Sequence, residues 1–224
     1  RSEHSSAALA LSRASAPGGS TVEAAFVLTP DRDWHAYWMN SGDSGAAPIL
    51  RWTLPPGAST GTTRWPFPKR LVTGPLTNFG WEGEAVLLTD VTLPPDAKGP
   101  LKFGLDAEWL VCQEECVPAS ASLSASVMAG PEAVEPSWAA LAARALPRLP
   151  SPGTAWNPVV TAGKRSLTLA LTPPAGRAAP AAAEFFPEEG GVFVAAARPS
   201  RASAEGRLEL DLPLAEEAAA APAR

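Results

Sequence analysis

The chain has 224 residues, 46% of them hydrophobic, with 25 prolines, 18 glycines and a formal net charge of −5. That length allows one large or two modest domains around a packed core. The acidic balance and the lack of any basic patch exclude a nucleic-acid binder, and no apolar run reaches the roughly 18 residues needed to insert this stretch in a membrane.

Residues 1–18 begin with the polar Arg1-Ser2-Glu3-His4, which has no signal-peptide pattern and suits a mature or trimmed fragment. His4 reads as a solvated terminal residue. A short apolar run follows at Ala7 to Leu11. Val22 to Thr29 alternates loosely and predicts a strand, stopped by Pro30-Asp31. In Trp34-His35-Ala36-Tyr37-Trp38, side chains at alternate positions share a face, so Trp34, Ala36 and Trp38 lie on one side and His35 and Tyr37 on the other. His35 could act as a base, but a lone strand histidine among tryptophans reads first as structural. Asn40-Ser41-Gly42-Asp43-Ser44-Gly45 is a strong turn signal.

Ile49 to Leu54 predicts another strand, closed by Pro55-Pro56-Gly57. Arg64 to Arg70 contains Pro66 and Pro68, which cannot donate to a ladder, so it reads as an edge or an ordered loop. Gly74 to Gly83 carries glycine at 74, 80 and 83 and a proline at 75, and reads as a loop. Its aromatics, Phe79 and Trp81, either plug the core or cover a site. Ala85 to Leu93 and Leu101 to Cys112 predict strands, and Cys116 leads into one more at Ala121 to Val127. This number of strands before residue 130 suffices for an immunoglobulin-like β-sandwich.

Cys112 and Cys116 are the only cysteines. On an extended strand their Cα atoms would stand roughly 13 Å apart, whereas a disulfide needs about 7 Å or less. If they bond, the chain must turn back at Gln113-Glu114-Glu115, and the flanking Trp109-Leu110-Val111 and Val117-Pro118 favour a hairpin over a helical turn. A bridge over so short a loop removes only about 2 kcal/mol of unfolded-state freedom. It therefore suits reversible chemistry better than clasping. A structural clasp, a two-thiolate metal site and two free thiols remain open on spacing alone. Asp106, Glu108, Glu114 and Glu115 lie close in sequence, with no Lys, Arg or His between 103 and 143. Negative neighbours disfavour a thiolate, so the expected couple is a reducing one, fit to donate electrons.

Beyond residue 130 the composition shifts. Trp138, Leu141, Ala142, Ala145 and Leu149 recur at helical spacing between Pro136 and Pro147. Strands are then predicted at Val159-Val160-Thr161, Leu167 to Leu171, Ala183 to Phe186, Val192 to Ala196 and Leu208 to Leu212. The expected organisation is an all-β chain. An immunoglobulin-like domain at 1–130 carries the cysteine pair, a linker with a short helix fills 131–152, and a second, smaller sandwich-like domain, also expected to be immunoglobulin-like, fills 153–224. The alanine-rich end from Ala215 has no terminating signal, as expected of a fragment boundary.

Three stretches taken together resemble a known family: Trp34 to Trp38 with Asn40 to Gly45; Trp65-Pro66, Pro68 and Arg70 with Gly74 to Gly83; and Trp109 to Cys112 with Cys116-Val117-Pro118. Their order and spacing are similar to the periplasmic N-terminal domain of the DsbD/ScsB thiol:disulfide interchange proteins, closer to the ScsB branch. The resemblance covers about residues 20–127. It implies an immunoglobulin-like domain at the end of an electron relay, on the periplasmic side of an inner-membrane protein. In that family a membrane-embedded domain feeds a thioredoxin-like domain, which by the resemblance would reduce this pair. The pair in turn reduces periplasmic clients, ScsC-like or other thioredoxin-fold proteins. No cofactor is implied. Carried over by position, the resemblance implies that Cys116 is the attacking thiol and Cys112 the resolving one, and that an aromatic cap falls at Asn78 to Trp81, where Phe79 and Trp81 compete. The cysteine spacing is shorter than in the best-known DsbD proteins. Two other readings stand beside this one: a β-sandwich binding module with a structural disulfide, and a copper-handling domain using the two thiolates.

Overall fold

A computed structural model describes residues 2–151, 156–197, 200–202, 206–216 and 218. The chain divides into two compact units. One comprises Arg1–Met39, Gly45–Leu71 and Gly80–Pro150; the other comprises Asn40–Ser44, Val72–Phe79 and Ser151–Arg224. The alanine-rich end at 219–224 lies outside the described residues.

The chain runs through β1 (Ser5–Leu11), β2 (Arg13–Ala16), β3 (Thr21–Pro30), β4 (His35–Gly42), β5 (Ile49–Thr53) and β6 (Ser59–Arg64). It continues through β7 (Lys69–Thr73), β8 (Leu76–Glu82), β9 (Ala85–Thr92), β10 (Gly99–Cys112), β11 (Cys116–Ala129), β12 (Ala133–Val134) and the helix α1 (Trp138–Ala145). One sheet has the order β1-β3-β9-β6. The other has the order β12-β2-β11-β10-β4-β8-β7, with β5 also paired to β10. The division between the two units falls within β4, β7 and β8.

The sandwich core is built by alternation. In β10, Leu101, Phe103, Leu105, Ala107, Trp109 and Val111 are buried while the residues between them are more exposed. Leu101, Phe103 and Val127 meet Leu11, Val22, Ala24 and Val91 of the opposite sheet. The loose alternation of Val22 to Thr29 has a physical cause. The first sheet is covered on both faces, because Trp138, Leu141 and Ala145 of α1 pack on Ala25, Val86 and Leu88. A strand covered on both sides loses the clean polar–apolar alternation of a half-exposed one. The predicted helix is thus part of the first unit's packing.

The local expectations need correction here. Ser5–Leu11, Arg13–Ala16, Ser59–Arg64 and Ala133–Val134, for which no strand is predicted, form β1, β2, β6 and β12. The stretch Gly74 to Gly83 is not a loop: its turn is confined to Gly74-Pro75, and Leu76–Glu82 is a strand. Its glycine content misled because Gly80 serves the sheet. A Cβ there would stand 2.0 Å from the carbonyl oxygen of Ala36, so the close approach of β8 to β4 demands glycine.

In the second unit, β13 (Asn157–Ala162), β14 (Ser166–Thr172), β15 (Ser200–Ala202) and β16 (Leu208–Pro213) form one sheet in the order β13-β14-β16-β15. Leu208, Leu210 and Leu212 are buried against Leu167, Leu169, Leu171, Phe185 and Phe193. The strands predicted at Ala183 to Phe186 and Val192 to Ala196 are absent; there, Phe193 makes a single bridge to Leu214. Pro180, Pro187 and Gly190-Gly191 interrupt any ladder. Phe185 and Phe193 instead meet edge to face at 5.2 Å as an irregular cover on the leucines. The turn residues Asn40 to Ser44 are held in this unit as well. The Asp43 carboxylate accepts the Thr77 N–H at 2.8 Å, and Asn40 Nδ2 donates to the Pro187 carbonyl at 2.8 Å.

Candidate redox-active site

β10 and β11 pair antiparallel without a break from Gly99 opposite Ala129 to Cys112 opposite Cys116. The turn at Gln113-Glu114-Glu115 is closed by the Gln113 N–H donating to the Glu115 carbonyl at 3.1 Å. Cys112 and Cys116 are disulfide-bonded, with Cα atoms 4.1 Å apart, close to the spacing of the tighter class of directly opposed antiparallel residues. The base of this tip is well anchored. Trp109 is 4% exposed, lies 5.9 Å from the Phe26 ring and donates its indole N–H to Ser5 Oγ at 3.1 Å. Val111 is wholly buried.

The two sulfur-bearing residues differ in access. Cys112 is 2% exposed, whereas Cys116 is exposed. Topology explains the difference. Cys112 is flanked by β4, where it stands opposite His35. Cys116 lies on β11, whose pairing with β2 is confined to Met128 and Ala129 at the far end.

β4 brings two further groups to the pair. The Tyr37 hydroxyl lies 3.4 Å from Cys116 Sγ, and His35 Nε2 lies 3.4 Å from that hydroxyl. The first distance is ordinary for a contact to sulfur; the second is long for a hydrogen bond. The two rings meet edge to face with centroids 5.2 Å apart. Burial pushes the His35 pKa below the usual histidine value, and the charge of Glu82 opposes that only in part. The imidazole is therefore biased to its neutral form. Gly45 holds Tyr37 in place: its φ is +84°, and a Cβ there would stand 2.3 Å from the phenol ring. The sequence does put His35 and Tyr37 on one face of a strand. It does not show that this strand borders the cysteines, because the contact spans 79 positions.

The electrostatic reading of the acids narrows. Glu108 is paired with Arg51, and Asp106 accepts a hydrogen bond from Ser122 Oγ at 2.6 Å. Glu108 and Asp106 are also four and six residues from Cys112, or about 13 and 20 Å along the strand, beyond a Debye length of about 8 Å at physiological salt. Of these four acids, only Glu114 and Glu115, exposed on the turn, are close neighbours of the pair along the chain.

The residues expected as a cap sit as follows. Trp81 is fully buried, stacks on Trp65 at 6.1 Å and donates its indole N–H to the Phe67 carbonyl at 3.2 Å. Asn78 is 2% exposed and its Oδ1 accepts from the Ser44 N–H and hydroxyl at 3.0 and 3.1 Å. Phe79 is 1% exposed and meets Phe186 edge to face at 5.3 Å. Among the described residues, no cluster of three or more His, Cys, Asp or Glu side chains is placed to hold a metal ion.

Comparison with known proteins bears on this site. The crystal structure of the N-terminal periplasmic domain of ScsB from Proteus mirabilis matches with a TM-score of 0.64 at 16% identity, over 99% of this chain and 84% of that one. That likeness reports a shared fold across both units. A match to Spo0M, a sporulation control protein from Bacillus subtilis, reaches a TM-score of only 0.27 at 9% identity, over 76% of this chain and 79% of that one. No curated protein matches. The family model for the N-terminal region of the thiol:disulfide interchange protein DsbD matches residues 6–127, which include β4, the β10–β11 hairpin up to Val127 and both cysteines. The chain belongs to that family, and the matched region holds the Cys112–Cys116 disulfide.

Proposed function

We propose that this is a periplasmic electron-transfer domain. It takes an electron pair from a thioredoxin-like domain, itself supplied by a membrane-embedded domain of the same protein, and passes it to disulfides of thioredoxin-fold clients. The observation that supports this reading is the asymmetry of the bonded pair: an exposed Cys116 joined to a buried Cys112 at the tip of a firmly rooted hairpin.

The chemistry needs no cofactor. A partner thiolate attacks Cys116 Sγ; the Cys112–Cys116 bond breaks, and Cys112 leaves as a thiolate and takes a proton. The partner's second thiol, once deprotonated, attacks the partner's own sulfur in the mixed disulfide and releases Cys116 as a thiolate. Two electrons and one proton have then entered the domain, a second proton follows when Cys116 is protonated, and the partner is oxidised. Reduction of a client reverses the sequence, with Cys116 attacking and Cys112 resolving.

Tyr37 and His35 have roles in this scheme. Neutral His35, with its proton on Nε2, donates toward the Tyr37 oxygen, and the Tyr37 hydroxyl donates to the Cys116 thiolate. Hydrogen bonds to charged groups contribute about 1.5–3 kcal/mol, which opposes the like-charge effect of Glu114 and Glu115. The shielding role expected of Asn78, Phe79 and Trp81 stays with the proposal; its test is faster reduction of a Phe79→Ala variant by dithiothreitol.

The decisive experiment is equilibration in thiol redox buffers combined with trapping. The domain should titrate at a defined potential with its circular dichroism unchanged. A Cys112→Ala variant should accumulate mixed disulfides through Cys116. Unfolding on reduction, or trapping by Cys116→Ala and not by Cys112→Ala, defeats the reading.

A further inference from the structure

A hollow of about 420 Å³ opens beside the disulfide, with Ala46, Ala47, Ile49, Leu110 and Pro118 in its lining and Glu108 among its few polar groups. Its origin lies in the strand pairing. β10 is paired with β5 from Gly104 to Glu108 and with β4 at Val111 and Cys112. The neighbour of β10 changes between those stretches, at Trp109 and Leu110, and the notch opens there. Ile49 begins β5 and is 49% exposed, a large apolar side chain left facing water.

We infer that this hollow is the docking surface for the redox partner, and that its occupant is the apolar shoulder beside the reactive cysteine of a thioredoxin-like protein. The inference rests on the electron-transfer reading above and adds where the partner sits. Leu110 and Pro118 are a directly opposed pair two residues below Cys112 and Cys116. Side chains two apart on a strand share a face, so they flank the disulfide on its own face, about 7 Å away. A partner that exchanges with Cys116 must bring its sulfur to bonding distance of Cys116 Sγ. A transient redox encounter covers up to about 600 Å² per partner, a disc of about 14 Å radius. A footprint centred on Cys116 therefore covers the hollow. This hollow supplies an apolar centre of the kind interfaces use for affinity, and Glu108, paired with Arg51, is in its lining.

Small thiols need no such footprint, which makes the inference testable. The probes are dithiothreitol and reduced thioredoxin, acting on the oxidised protein and on the variants Ile49→Glu and Ala47→Asp. Both variants place a charge where the partner's surface would exclude water. The expected result is that thioredoxin reduces each variant at least about tenfold more slowly, as for an unpaired charge buried in an interface, while the dithiothreitol rate stays within about twofold. Equal rates with thioredoxin for variant and unaltered protein overturn the docking surface and leave the redox reading standing. Parallel slowing with both reagents places the effect on the disulfide itself and also overturns it. A thioredoxin rate on the unaltered protein no greater than that of dithiothreitol, thiol for thiol, overturns the choice of occupant. If neither reagent opens the disulfide of the folded, unaltered protein, the redox reading itself has failed, and that outcome is distinct from the other three.

Discussion

The root and the tip of the β10–β11 hairpin share one uninterrupted register but differ in what surrounds them. At the root, Phe103, Leu105 and Trp109 are buried within the sandwich. At the tip, no strand among the described residues is registered on the outer flank of β11 near Cys116, and the turn carries two exposed glutamates. The root makes the hairpin stiff, and the tip leaves one sulfur reachable. A bond that opens and closes at the tip can therefore do so while the scaffold keeps its packing.

The comparison can be broken at the root first. Trp109→Ala removes a buried ring and its hydrogen bond to Ser5, and is expected to lower stability by about 3–5 kcal/mol in urea unfolding of the oxidised protein. A loss below about 1 kcal/mol would mean that the hairpin is anchored elsewhere. At the tip, Tyr37→Phe should leave stability nearly unchanged but raise the Cys116 pKa by about one pH unit, equivalent to about 1.4 kcal/mol, read from thiolate absorbance of the reduced domain. Gly45→Ala should act in the same direction by displacing the phenol ring; an unshifted pKa in both would remove Tyr37 from the mechanism.

The next effect is carried by His35. Its folded pKa is lowered by burial, so the unfolded chain takes up the proton first as pH falls. The resulting stability is complete above the unfolded value of about 6.5 and is lost as pH drops through the lower folded value. Melting temperature should therefore decline from about pH 7 toward about pH 5, and the His35→Phe variant should decline less. A slope identical in the two proteins would place the pH sensitivity in other groups. The smallest expected effect belongs to Glu114→Gln combined with Glu115→Gln. Two exposed charges at this range should lower the Cys116 pKa by only a few tenths of a unit, and less in high salt. A shift above about one unit would mean that the turn acids are far less screened than their exposure implies.

Much of the hairpin was legible in the chain because its signals are local. The alternation from Leu101 to Val111, the short Cys–Cys spacing and the flanking β-formers all act within a few residues. The stretch from Gly74 to Gly83 was misread for the same reason. Glycine punctuates turns locally, but Gly80 is required by the backbone of Ala36, 44 positions away. Phe185 and Phe193 have strand-like neighbours, yet they cover the leucines of β16 without a ladder because proline and glycine interrupt their segments. His35 looked structural in isolation, since a histidine's role is set by the groups that fold against it.

By itself the sequence determined that two sulfurs stand four positions apart between strand-forming runs and that a bond between them requires a tight bend, because spacing, turn residues and side-chain period are properties of neighbouring residues. Only the tertiary structure decided which sulfur faces water, that Tyr37 and His35 flank it, and that an apolar notch lies beside it. Those features depend on which strands are neighbours in the sheet, and that is settled by burial of the whole core rather than by any short run of residues.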